Sequence, residues 1–258
     1  MYEKLAKYYD IIFGESYLLR PETDMKRIET NIPAQIEFLE WVLAGKKKIL
    51  DAGCGTGRYL IPLAEKGHEV VGIDTSSEML SILRKKLAEC NSKIRTSVYC
   101  ADMRNVDFEA EFDAAICMYT FNYLISDEDI MRTLRGLYNS LKRDGIVVID
   151  IHNFLYHLDN FEKVTIDHFE KDNIHIQRII RYDVDNVTCI CYYDEYATIN
   201  EAGKVSTYHE VHPLRIMTHN EMRKFLTEAN FGNIKCFADY TTKEAKKSAH
   251  RLVFVGEK

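Results

Sequence analysis

Between residues 47 and 152, short apolar runs alternate with stretches of helical periodicity. The runs cover 49–52, 70–74, 97–101, 112–118 and 146–151. They are apolar at successive positions rather than alternate ones. Such runs belong to strands buried on both faces, and helical crossovers between them predict a doubly wound, mostly parallel α/β sheet. Gly67 reads as the C-cap of the first crossover helix, and Asp144-Gly145 as the turn into the fifth strand. Pro62 falls early in that first helix, where a missing N–H costs least.

After residue 163 the pattern changes to alternation. Runs over 174–184, 187–199 and 205–211 are joined by Asp185-Asn186 and by Asn200-Glu201-Ala202-Gly203. These predict hairpins of an antiparallel sheet, inserted after the fifth core strand. Helical spacing returns over 218–230, with Thr218 as N-cap and Glu221 completing a capping box. Runs over 234–240 and 252–255 then complete a seven-stranded core sheet. The basic connection 243–251 is expected to be a solvated loop. Ahead of the core, Leu5, Tyr8, Tyr9, Ile12 and Phe13 recur at helical spacing, as do Ile36, Leu39, Val42 and Leu43. The expected organisation is an N-terminal helical lid at 1–45, an α/β core at 46–152, the antiparallel insertion at 153–215, and a return to the core sheet at 216–258.

Composition narrows the function classes. The 258 residues can bury a substantial core, and 46% hydrophobic with 29% charged residues is ordinary for a globular chain. A net charge of −6 argues against nucleic acid as the main partner. No run approaches the length of a membrane span, and the first residues lack a signal-peptide core, so a cytoplasmic protein without membrane contact is expected. The seven cysteines are scattered, with no C-x-x-C pair, so neither a metal site nor a disulfide frame is expected.

Candidate chemistry centres on Asp51-Ala52-Gly53-Cys54-Gly55-Thr56-Gly57. An apolar strand ends in an acid, three glycines follow at alternate positions, and a helix begins. Glycine there permits positive φ and lets a ligand approach the backbone, while a helix start offers unpaired N–H groups. The spacing D-x-G-x-G-x-G differs from the G-x-G-x-x-G of pyridine-dinucleotide enzymes, which places a NAD(P) dehydrogenase far behind. In open α/β sheets ligands lie beyond the carboxyl ends of the strands. That rule selects Asp51, Asp74, Asp102, Met118-Tyr119 and Asp150-Ile151-His152. Asp74 is placed to accept both hydroxyls of a ribose, and Asp102 an adenine amino group.

Together these residues resemble the nucleoside-methionine site of class I S-adenosylmethionine (SAM) methyltransferases, whose core fold is Rossmann-like. The motif-level resemblance covers roughly 45–150. The insertion, the run Asp102-Met103-Arg104, the run from His212 to Thr218 and the terminal Arg251–Gly256 segment resemble one subgroup. It contains small-molecule N-methyltransferases related to glycine N-methyltransferase and to amino-sugar N,N-dimethyltransferases. The resemblance implies SAM as cofactor and a small-molecule substrate, with a homodimer possible. It implies cofactor contacts from Tyr9, Arg27 (with Arg20 as competitor), Asp51, Gly53, Gly55, Gly57, Asp74, Thr75, Met79, Asp102, Met103 and Met118. Tyr9-Asp10 resembles the pair that opens many such chains, where the segment closes over the cofactor.

Methyl transfer from a sulfonium requires in-line placement of the nucleophile, and a base only where the acceptor arrives protonated. Candidates for that base are Tyr9, His152 and His212. Tyr119, Tyr123, Tyr208, His212 and Arg215 are the candidate substrate contacts, with Tyr208, Glu210 and His212 on one strand face and His209 on the other. The expected reaction is methylation of an amine nitrogen, or a hydroxyl, of a small metabolite. The alternatives are a methyltransferase acting on RNA or protein, and a binding module that keeps the cofactor site without turnover. No Asn/Asp-Pro-Pro-Tyr follows the fourth strand, no Lys-Asp-Lys-Glu set is evident and no metal cluster of the catechol type is present.

Overall fold

The computed structural model describes residues 5–14, 31–90, 93–159 and 163–258. Its centre is a seven-stranded sheet in the order β10-β11-β5-β4-β1-β2-β3. The parallel part comprises β1 (Lys48–Ala52), β2 (Glu69–Asp74), β3 (Arg95–Cys100), β4 (Phe112–Cys117) and β5 (Leu141–His152). β11 (Arg251–Glu257) runs antiparallel to β5 and to β10 (Gly232–Ala238). The reversal of strand order falls between β1 and β4, as the doubly wound pattern requires.

Four of the five apolar runs are buried because both faces are covered; the run at 97–101 is the exception, because β3 lies at the sheet edge and leaves Tyr99 52% exposed. Ile49, Val70, Ala114, Ile116 and Val148 pack under α2 (Ile32–Val42) and α3 (Leu60–Glu65). Leu50, Val71, Ala115, Val147 and Ile149 face the other side, against α5 (Asp127–Ser140) and α7 (His219–Glu228). Among the described residues, the remaining α-helices are the single turn α1 (Tyr9–Ile12), α4 (Ser77–Glu89) and the short α6 (Phe154–Asp159). Gly67 ends α3 at φ 101°, with its N–H on Ala64 O and that of His68 on Leu63 O, the paired bonds of a Schellman end. Thr218 and Glu221 form the reciprocal capping box at the start of α7.

The insertion is a separate antiparallel sheet, β6-β7-β8-β9. It has four strands where alternation marked three: β6 (Val164–Lys171) precedes β7 (Ile174–Asp185), β8 (Ile190–Glu201) and β9 (Lys204–Arg215). β6 alternates as cleanly as the others, but its inward positions are Thr165, Asp167 and Phe169. Two of those three are polar, so a hydrophobic count passes over it. β8 also starts later than the apolar run, because Val187 belongs to the turn and is 92% exposed.

The apolar residues of the N-terminal segment, Leu5, Tyr8, Ile11 and Ile12, pack with Phe169, Ile176, Ala197 and Ile199 on the inner face of the second sheet. The segment is also tied at both ends of its reach. Asp10 accepts from Thr56 Oγ1 at 2.7 Å and pairs with Lys86 at 2.6 Å on the core side. Lys7 and Tyr8 bond Glu201 of the inserted sheet. The connection 243–251 is solvated only in its first part: Ala249, His250 and Arg251 are buried, and Asn153 donates to the carbonyls of Lys247 and Ala249. Arg251 is buried because it has a buried carboxylate, Asp150, across the sheet. Among the described residues no helix is long and apolar enough to cross a membrane.

Candidate active site

A cavity of about 330 Å³ opens at the carboxyl ends of β1, β2 and β4, at the reversal of strand order. The core strands and the glycine turn form one side. The N-terminal segment and the inner face of the second sheet form the other.

On the core side, the glycine turn begins with the N–H groups of Gly53 and Cys54 on Ile73 O, at 2.8 and 3.0 Å. Gly53 has φ 85°, and a Cβ there would stand 2.5 Å from Thr120. Gly55 has φ 53°, and a Cβ there would meet nothing within 4 Å, so its backbone faces open cavity. The Gly55 N–H donates to Asp74 Oδ2 and the Ser76 N–H to Asp74 Oδ1, each at 2.9 Å. This fixes the Asp74 carboxylate at the cavity edge, beside Thr75 and Met79. α3 starts at Leu60, beyond a run of turn residues and later than the motif suggested.

The third edge is Ala101, Asp102, Met103 and Arg104. Asp102 caps the 3-10 turn Met103–Asn105, accepting from the Arg104 N–H at 2.8 Å and from its guanidinium at 2.6 Å. These bonds hold the Asp102 carboxyl below the usual carboxylate range. Three of the other predicted cofactor residues lie behind the cavity wall. Asp51 is 1% exposed, and burial, reinforced by the charge of Asp74, pushes its pKa up to about 8. Its Oδ2 has no hydrogen-bond partner among the described residues. Gly57 lies under Leu83, which a Cβ would approach to 2.4 Å. Met118 is buried in the sheet–helix core. Arg27 and Arg20 lie outside the described residues. Arg58 was missed by sequence reasoning, although it directly follows the last glycine. It lines the cavity and lies over the Tyr119 ring at 4.7 Å.

On the far side, Tyr9 lines the cavity and packs on Phe13 at 4.6 Å. Burial raises the pKa of the Tyr9 phenol. Tyr119 adopts φ 58° and gives its N–H to Asp150 Oδ1 at 2.6 Å. Its ring stacks between Tyr59 and Tyr240. Asp150 also accepts from Tyr240 Oη at 2.6 Å and from Arg251 Nε at 2.9 Å. Arg251 in turn meets His152 Nε2 at 2.8 Å. His152, Tyr119 and Tyr123 all line the cavity.

The inserted sheet contributes Asp167, Phe169, Arg178, Ile180, Tyr182, Tyr193 and Leu214. Arg178 grips Glu195 through Nε at 2.8 Å and a terminal nitrogen at 3.1 Å, and stands 3.8 Å from Asp167. All three side chains are buried. β9 alternates as expected, with His209 outward on Tyr196 and Asp194. The inward residues are divided. His212 is buried behind Tyr123, 3.5 Å from Glu210 and 3.8 Å from Glu195. Burial lowers its pKa against the pull of those carboxylates. Tyr208 meets Tyr8 edge-on in the apolar cluster under the N-terminal segment. Arg215 pairs with Asp127 at 2.6 Å and donates to Ile125 O at 3.0 Å, bridging insertion and core. Tyr208, His212 and Arg215 are thus not among the residues that line the cavity. Among the described residues no group of three or more His, Cys, Asp or Glu side chains is placed to hold a metal ion.

Comparison with known proteins gives a consistent result. Residues 49–145 match the family described as "Methyltransferase domain". The chain is 31% identical over 224 residues to a putative methyltransferase, YqeM, of Bacillus subtilis, covering 86% of this chain and 88% of the relative. It is 32% identical over 201 residues to a glycine/sarcosine N-methyltransferase of Aphanothece halophytica, covering 76% and 70%. A crystal structure of an S-adenosylmethionine-dependent methyltransferase from Clostridium acetobutylicum superposes with a TM-score of 0.80 at 20% identity, over 99% of this chain and 98% of that one.

Proposed function

The chain belongs to the class I SAM-dependent methyltransferases of the small-molecule kind, and from that premise we propose that it methylates an amine nitrogen of a small metabolite. The cavity fits the cofactor. Gly55 leaves room where a side chain would intrude, and Asp74 and Asp102 present carboxylates at the ends of β2 and β3. The ribose hydroxyls fall to Asp74 and the adenine edge to Asp102 and Met103. When bound, SAM supplies an electrophilic methyl group whose transfer leaves a neutral thioether, so no acid is needed on the leaving side.

The protein's task is then to hold the acceptor, exclude water and set orientation, which can supply several kcal/mol of the barrier. The observation that supports an amine is the far wall of the cavity. Phe13, Phe169, Tyr182 and Tyr193 line the cavity together with the buried Asp167. Among the described residues, the guanidinium of Arg178 is shared between Asp167 and Glu195. Aromatic faces and a desolvated carboxylate attract an ammonium or amine more than a neutral hydroxyl. The glycine/sarcosine relative, named for an amine acceptor, agrees with this reading.

The test is a panel of small amines and their hydroxyl isosteres, incubated with enzyme and SAM and read by mass spectrometry. Transfer to amines is expected, with Asp167→Asn raising the amine KM at least about tenfold, the loss of one charge-assisted contact. SAM affinity should be unchanged in that variant. Preferential turnover of the hydroxyl compounds, or an amine KM untouched by Asp167→Asn, would overturn the proposal.

A further inference from the structure

The cluster behind Tyr119 determines the state of one cavity residue. β5 and β11 pair antiparallel, with Arg251 opposite His152 and Val253 opposite Asp150. Arg251 therefore lies on the same sheet face as both His152 and Asp150. It is 1% exposed and Asp150 is fully buried. Nε and one terminal nitrogen of the guanidinium bond Asp150 Oδ2, and the plane lies over the Tyr119 ring at 4.3 Å. Asp150 is itself fixed by the Tyr119 N–H and the Tyr240 hydroxyl. The guanidinium cannot turn away without breaking a buried ion pair. Its other terminal nitrogen then stands 2.8 Å from His152 Nε2.

A guanidinium only donates. The atom it meets must offer a lone pair, so His152 Nε2 is the acceptor, and the neutral ring carries its proton on Nδ1. A second proton on the ring would oppose N–H to N–H, and would add a cation beside a pair that is already neutral. We propose that Arg251 is a positioning residue that fixes His152 as the Nδ1-protonated neutral imidazole. With Nε2 occupied by the guanidinium, His152 does not take a proton from the acceptor. The amine must lose its proton elsewhere or arrive without it. This deepens the amine-methylation reading only by placing His152 on the substrate side; the ring's tautomer does not depend on it.

The experiment is long-range proton–nitrogen correlation NMR of the full chain carrying ¹⁵N-histidine, near pH 7 and without substrate. His152→Asn identifies the resonances. The expected wild-type pattern is a pyrrole-like Nδ1 and a pyridine-like Nε2. The double variant Asp150→Asn/Arg251→Met removes the donor and the buried charge together. There, His152 should shift towards the Nε2-protonated or mixed form. A wild-type ring protonated on Nε2, or on both nitrogens, would overturn the proposal. So would an unchanged pattern in the folded double variant. If that variant does not fold, the wild-type spectrum decides alone. No turnover is measured, so failure here is distinct from failure to methylate amines.

Discussion

Asp51 lends itself to a quantitative test. Its carboxyl is buried behind the glycine turn, takes the Leu60 N–H, and titrates at about 8 instead of 3.8. An acid whose native pKa lies above its unfolded value keeps its proton longer in the folded state. Stability from this group is therefore fully present below the unfolded pKa. It is lost as pH rises between the two values, and the loss is complete above the native one. The slope has a ceiling of about 1.4 kcal/mol per pH unit. Asp51→Asn preserves the shape and the acceptor for Leu60 while removing the titration. Between about pH 5 and pH 7 the wild type should lose roughly 2–3 kcal/mol relative to the variant. Urea unfolding of both proteins across that range, without cofactor, measures the difference. Subtraction cancels the other titrating groups, including His212, whose lowered pKa gives a slope of opposite sign below its ordinary value. Asp102 and Asp113 are held low and act only at more acidic pH. A flat difference between the two proteins would refute the reasoning, because it would mean that Asp51 ionises alike in the folded and unfolded chains.

Three further outcomes are expected. Asp74→Ala should weaken SAM binding by about 1–3 kcal/mol in calorimetry, the range for a charge-assisted hydrogen bond, and unchanged affinity would remove Asp74 from the ribose role. Hydrogen exchange across residues 5–14 should slow when SAM binds. Asp10→Ala, which cuts the tie to Thr56 and Lys86, should abolish most of that protection, whereas equal exchange with and without SAM would count against a closing segment. Arg215→Ala should lower melting temperature and turnover together, because Arg215 joins the insertion to Asp127 and Ile125, while His209→Ala on the outer face should keep at least half of wild-type turnover; a thermally silent Arg215→Ala with lost activity would return that residue to direct substrate contact.

What the sequence determined by itself is local and periodic. Continuous apolar runs announced β1, β2, β4 and β5, because a strand covered on both faces leaves few positions for a polar side chain. Gly67, Thr218 and Glu221 marked helix ends through bonds that close within a few residues. The place of Gly53, Gly55, Asp74 and Asp102 at the cavity edge was legible because strand ends in such a sheet converge on one edge whatever the rest of the chain does. The tertiary structure decided everything that depends on partners far along the chain. β6 was passed over because the polar residues on its inner face pack and pair only once β7 lies beside it. The same pairing makes Asp167 a buried wall of the cavity, since Arg178 and Glu195 come from the next two strands. Arg251 read as the end of a solvated basic loop, and its burial depends on a carboxylate 101 positions earlier in the chain. The inward face of β9 was predictable from alternation, yet only the docking of the N-terminal segment and of Arg215 on the core decided that Tyr208 and Arg215 hold the insertion in place. A charge can be buried only where its counter-charge is delivered in the right orientation, and that delivery is a property of the fold.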